Sequence, residues 1–223
     1  MSRITVILLN WARPKNIPII IDCLKRQTAR PTIFLWDNAN SRELMHSPID
    51  WVVKSSKNVA CPPRWFMPTM ANTDYCLVHD DDLCLLNHNT LAQLVDFMDR
   101  QEPRTAAGAF GVKLVRGKSY IECEHVASGS RDVRVDIVKG RLMCVRTADL
   151  RTIPTCSDQQ DDLYISAKLR KRTFGPSNSI DLPHWVPSLF AGRIAELPKG
   201  KFSLENEHNH FLKREIARKT FYD

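Results

Sequence analysis

Across 223 residues there is no Cys-x-x-Cys pair and no His-Glu-x-x-His segment, which removes the usual zinc sites. The seven cysteines are odd in number and irregularly spaced. Cys76, Cys84 and Cys144 lie in apolar runs, where cysteine behaves as a small hydrophobe. A disulfide framework is therefore not expected, and a reducing, cytoplasmic setting is. No apolar run is long enough to span a bilayer. Met1 to Thr5 leads straight into strand-like sequence rather than a secretory leader. No Asn-x-Ser/Thr acceptor, internal repeat or low-complexity stretch occurs. Gly117-Lys118-Ser119 ends like a P-loop, but Val112 stands where that loop needs its glycine.

What is present begins with charge. The net charge of +7 favours an anionic partner, whether nucleotide, nucleic acid or membrane surface. The denser group Lys168-Leu169-Arg170-Lys171-Arg172 reads as a solvated helix end, where cations suit the dipole. The length suits one core, so a single domain over 1–223 is expected.

Periodicity gives the fold class. Ile4 to Leu9 is a near-continuous apolar run, the pattern of a strand covered on both faces. Ile17, Ile20, Ile21 and Leu24 then recur at helical spacing. Thr32 to Trp36, Trp51 to Val53 and Asp74 to His79 read as strands, and a helix follows from about Asn89. Such alternation predicts an α/β fold with a mostly parallel central sheet and helices on both faces. The second half is more mixed. Thr105 to Val112 reads as one strand, and Val133 to Val138 with Leu142 to Val145 as a hairpin around Lys139-Gly140. Ser157 to Gln160 has capping-box spacing ahead of a helix through Leu163 and Leu169. The stretch 176–198 is expected to be irregular, and a last helix runs from about Glu205 to Lys219.

Ligands of parallel α/β sheets bind beyond the carboxyl ends of the strands. Polar residues gather there: Asn10 after the first strand, Asp37 and Asn38 after the second, and Asp80-Asp81-Asp82 after the fourth. Three adjacent carboxylates repel one another and raise each other's pKa values. A hard divalent cation relieves that cost and keeps positions for phosphate oxygens. In isolation the triplet also reads as a solvated acidic turn.

The triplet resembles the DxD signature of GT-A fold, nucleotide-sugar-dependent glycosyltransferases. Upstream, Asn58-Val59-Ala60-Cys61-Pro62-Pro63-Arg64-Trp65-Phe66-Met67-Pro68 resembles the Asn…Arg-Phe-x-Pro segment of exostosin-like glycosyltransferases. Downstream, Asp161-Asp162-Leu163 resembles their acidic motif at a helix start. The chain is also similar to small GT-A domains of large DNA viruses such as chlorella viruses, a setting that implies the host cytoplasm.

This resemblance implies a transferase that moves a sugar from a UDP-sugar to a hydroxyl of a glycan or glycoprotein, without nucleic acid, with 1–100 as the nucleotide-sugar-binding half and 101–223 as the acceptor-binding half of one GT-A domain. It implies Mn2+ or Mg2+ held by Asp82, with Asp80 on the metal or the ribose. Asn10, Arg13, Asp37, Asn38, Asn58, Arg64, Asp80 and Asp81 would line the nucleotide-sugar site. Asp162, or Asp161 beside it, would be the catalytic carboxylate. Retention of configuration is favoured by the resemblance, and inversion by Asp162 as a base. His184, His208 and His210 are open candidates, against cap or core histidines. His79 is expected to face away from the metal. Two other classes stand beside this one. A nucleotidyltransferase shares the sheet but needs a glycine-rich loop that Leu9 to Pro14 does not supply. A non-catalytic carbohydrate- or nucleic-acid-binding protein fits the charge but not the acidic sheet edge.

Overall fold

In the computed structural model, residues 2–39, 49–153, 160–170, 182–198 and 208–222 are described. Strand β1 (Ile4–Asn10) is buried along its whole length, as an apolar run between two helical layers requires. It is followed by α1 (Asn16–Lys25), β2 (Thr32–Asp37), β3 (Trp51–Lys54), the single turn α2 (Pro63–Phe66), β4 (Tyr75–Asp80), β5 (Leu83–Leu85) and α3 (Thr90–Asp99). The second half adds β6 (Ala106–Gly108), β7 (Phe110–Lys113), β8 (Glu124–Ala127), β9 (Val133–Val135), β10 (Ile137–Val138) and β11 (Leu142–Arg146). Then come α4 (Thr147–Leu150), α5 (Asp161–Arg170), β12 (His184–Val186), β13 (Ile194–Glu196) and α6 (His208–Tyr222).

The main sheet has the order β3-β2-β1-β4-β11-β6-β12-β9. From β3 to β4 every pair is parallel. Strand β11 then lies antiparallel between β4 and β6. One face of the sheet is covered by α1 and α3, whose Ile20, Leu24, Leu94 and Met98 pack on Val6, Leu8 and Leu35. The other face meets α2 and α5, with Trp65, Ile165 and Leu169 against Ile7, Val78 and Met143. Helix α6 joins through Ala217, which packs with Leu163 and Tyr120.

The second half departs from its sequence pattern in three places. The segment 105–112 is two strands, because the chain leaves the main sheet at Gly108 to open a second sheet of β10, β7 and β8. A Cβ on Gly108 would lie 2.1 Å from the Leu142 carbonyl oxygen, so this crossing needs glycine. The expected hairpin around Gly140 does not form, since β9 pairs with β12, β10 with β7, and β11 with β4 and β6. Long-range partners outcompete the local one. The proline-rich stretch also contains strands β12 and β13. The capping-box Ser157, together with 171–181, lies outside the described residues. Cys23 and Cys84 are bonded to each other, tying α1 to β5, so the expectation of cysteines without cross-links is corrected: among the described residues there is one disulfide.

Candidate active site

Parallel register brings the polar ends of the strands to one edge. Asn10 lies opposite Asp37, and Leu9 opposite Asp80. Asn10 Nδ2 donates to Asp37 Oδ1 at 2.7 Å, and both residues are fully buried. Asn38 spends its side chain on the adjoining loop: its Oδ1 accepts from Trp36 Nε1 and from the Val59 amide, each at 3.1 Å, and its Nδ2 donates to Ala60 O. Asn58 Oδ1 accepts from the Ala60 amide at 2.8 Å. Asn38 and Asn58 therefore shape the loop that leads to Arg64, as Asx residues often do.

The three aspartates fan out to three arginines. Asp80 Oδ1 accepts from Arg64 Nη1 at 2.7 Å. Asp81 turns back to the loop after β1, accepting from the Trp11 amide at 2.7 Å and pairing with Arg13. Ala12, at φ 59, takes the left-handed conformation that bends this loop. Asp82 Oδ1 accepts from Arg141 Nη2 at 3.2 Å, while Arg141 Nη1 holds Glu196. The repulsion read from the sequence is thus offset by cations of the protein itself. It is not abolished at Asp80. Burial pushes that carboxyl up to about 7, Arg64 opposes the rise, and Asp82 and Asp81 add to it. His79 is fully buried and, by strand alternation, lies on the face opposite Asp80, as expected. Its Nδ1 donates to Asp80 O at 2.7 Å, so Nε2 carries no proton, and burial holds the ring down to about 4.

Arg64 does not face open solvent. It is 5% exposed, and its Nε and Nη2 form a fork on Asp161 at 2.6 and 3.0 Å. Nη1 serves Asp80 and the Gly140 carbonyl, the latter at 3.1 Å. Arg64, expected to line the nucleotide-sugar site, forms a clamp between β4 and the start of α5. Such bidentate geometry suits a guanidinium and not an ammonium. Trp65 Nε1 also donates to Asp161. Gly140 makes the clamp possible, because a Cβ there would lie 2.6 Å from Arg64 Nη2 and 3.3 Å from Asp162 Cβ.

Asp162 is 2% exposed. Its Oδ2 accepts from the Gly140 amide at 3.2 Å and from Arg214 Nη2 at 3.0 Å. Burial works against its charge, yet Arg214, Arg64 and the Gly140 amide outweigh it and hold the carboxyl below its usual range. Asp161 and Asp162 open α5, where the dipole also favours anions. Neither is presented to solvent as a free base.

His184 is a core histidine rather than a site residue. It is fully buried, with Nδ1 accepting from the Ala106 amide and Nε2 donating to Ser166 O at 3.0 Å. Trp185 beside it packs edge-on against Phe97. The side chains of His208 and His210 lie outside the described residues. Sequence reasoning missed Arg141, Arg214 and Gly140. Each stands in an unremarkable local context, and only long-range pairing brings it here.

Among the described residues, no three His, Cys, Asp or Glu gather as a metal cage. The two carboxylates expected to hold a metal, Asp80 and Asp82, each have one oxygen engaged by an arginine. That chemistry fits a hard ion that takes one or two carboxylates and completes its shell with water and substrate phosphates.

No family model matches the sequence, and no curated protein does. Among solved structures, the chain is similar to the mannosyltransferase PcManGT from Pyrobaculum calidifontis, in complex with GDP-Man and Mn2+. The identity is 16% and the TM-score 0.54, over 74% of this chain and 50% of that one. It is also similar to S. aureus TarS, at 17% identity and TM-score 0.49, over 74% of this chain and 34% of that one. The chain thus spans half or less of the length of either protein. The likeness to PcManGT is one of fold: this chain shares with it an α/β architecture built on a large, mostly parallel central sheet flanked by helices.

Proposed function

We propose that the chain is a metal-dependent glycosyltransferase that moves a sugar from a UDP-sugar to a hydroxyl of a glycan or glycoprotein. The observation that carries this reading is the Arg64 clamp. It joins the strand-edge Asp80 to Asp161, so the two acidic motifs form one charged cluster at the ligand edge of the sheet. A divalent ion, which would be held by Asp82 and Asp80, supplies Lewis-acid stabilisation of a leaving diphosphate. The protein's own groups do the rest. Asn10 and Asp37 offer a rigid polar pair where a base or ribose would lie. Arg13 and the Trp11 amide fix Asp81, and so the turn that carries Asp82. Asp161 and Asp162 are buried, Asp162 is held in its charged form by Arg214, and the pair would lie beneath the position where a departing sugar becomes cationic. Their burial favours stabilisation over proton abstraction, which supports retention.

The PcManGT complex holds a GDP-sugar, so the donor test includes both bases. Calorimetry with UDP and GDP, each with and without Mn2+, is expected to give metal-dependent binding of UDP. Absence of any nucleotide binding with metal present would sink the proposal. A second reading has one observation in its favour: each aspartate already has an arginine. A non-catalytic nucleotide or carbohydrate binder would bind without metal and show no turnover in a screen of UDP-sugars.

A further inference from the structure

The outer face of α6 carries a feature that the site does not use. Leu212 and Ile216 are 60% and 58% exposed, and Ile121 is 57% exposed. These are the three most exposed large hydrophobic side chains among the described residues. Leu212 and Ile216 are four residues apart on one helix, so they stand one above the other. Ile121 belongs to the turn that α6 grips: the Tyr120 amide donates to Glu215 Oε2 at 2.6 Å, and Arg214 Nη1 donates to the Tyr120 hydroxyl at 2.9 Å. The three side chains therefore flank one seam. Exposed cations surround them, Lys213 and Lys219 on the helix and Arg116 and Lys118 on the turn. Among the described residues of the helix and the turn, Glu215 pairs with Arg218 and Glu122 keeps its charge, so the four exposed cations face one unpaired acid.

We propose that this face docks on an anionic lipid bilayer. Aliphatic side chains ringed by lysine and arginine match the boundary between acyl chains and acidic headgroups. Self-association would set the same four cations against their own copies, which charge complementarity disfavours. No described helix is long and apolar enough to cross a membrane, so α6 lies in the interface plane. Its inner face holds Arg214 on Asp162, which sets the acidic cluster about one helix diameter, ~10 Å, from the lipid surface. The surface is independent of the transferase reading, and its test needs no turnover.

The full chain would be floated with vesicles of phosphatidylcholine alone and with about one third phosphatidylglycerol. The expected result is partition onto the anionic vesicles, little onto the neutral ones, and loss as salt is raised. Ile121→Ser/Leu212→Ser/Ile216→Ser and, separately, Lys213→Glu/Lys219→Glu should each lower partition about tenfold or more, with unchanged circular dichroism and melting temperature. Binding by the variants at the wild-type level, or no binding to anionic vesicles, overturns the proposal. A wild-type dimer that the serine variant converts to monomer would assign the face to a second copy instead.

Discussion

Replacing Arg64 by methionine removes three carboxylate bonds at once, two to Asp161 and one to Asp80. Asp80 has an outlet, since its side chain is 29% exposed and its carboxyl already titrates near 7. Asp161 has none. It is 1% exposed and keeps only the Trp65 indole among its side-chain partners named above. Breaking a buried pair from one side costs about 3–5 kcal/mol. For a chain of this size that is a drop of roughly 6–20 °C in melting temperature. Arg64→Lys is expected to recover little, because an ammonium lacks the fork. The decisive assay is a double-mutant cycle in urea with Asp161→Leu. An apolar pair of similar volume is often neutral against the ion pair, so Arg64→Met/Asp161→Leu should be more stable than the sum of the single changes by at least about 2 kcal/mol. If Arg64→Met costs under about 1 kcal/mol, or if the two changes simply add, the clamp is not what holds β4 to α5.

Other outcomes follow from the same coordinates. Gly140→Ala should destabilise by about 1–3 kcal/mol in thermal melts, because its methyl group meets the buried Arg64 guanidinium rather than a free side-chain end. Asp82→Asn should lower metal-dependent UDP-sugar turnover about a hundredfold or more while the melting temperature holds, and EDTA should do the same reversibly in wild type. Thiol labelling of the denatured, unreduced chain should mark Cys61, Cys76, Cys123 and Cys144 and leave Cys23 and Cys84 unmarked, and reduction of that bond should cost about 4 kcal/mol for a loop of 61 residues. Hydrogen bonds from Arg3 and then Tyr75 hold the Asp99 carboxyl down to about 2, against an ordinary 3.8. A depressed carboxyl stabilises the fold above the ordinary value and loses that contribution as pH falls through about 2. Asp99→Asn should therefore cost under about 1 kcal/mol near neutrality, because the pair is exposed, and nothing near pH 2 in acid titrations followed by circular dichroism.

The first hundred residues were largely legible because their signals are local. An apolar run with nothing polar in it, as in Ile4 to Leu9, can only be a strand between two layers, and Asn10, Asp37 and Asp80 then fall at one edge by register. The second half was less legible because its strands are short and find distant partners. Val133 to Val145 alternates as a hairpin should, yet β11 is taken up between β4 and β6. In the site, the carboxylates announced themselves by crowding. Their counter-ions did not, since Arg141 and Arg214 look like any surface cation until the fold brings them to Asp82 and Asp162. Arg64 stood out in its motif, but its pairs with Asp80 and Asp161 did not, because a motif names a residue and says nothing of which anion it meets first.

The antiparallel insertion of β11 has a consequence for synthesis on the ribosome. Asp80, Asp81 and Asp82 emerge early, yet the Arg141 side chain and the β11 backbone that flank them come some sixty residues later, and Asp161 about eighty. Until β11 has left the exit tunnel, the nascent sheet has an open edge at β4 and Asp82 lacks its partner Arg141. A cut near residue 100 would divide the main sheet, since β11 pairs with β4 across it. The acidic turn is translated early and becomes a structured turn late.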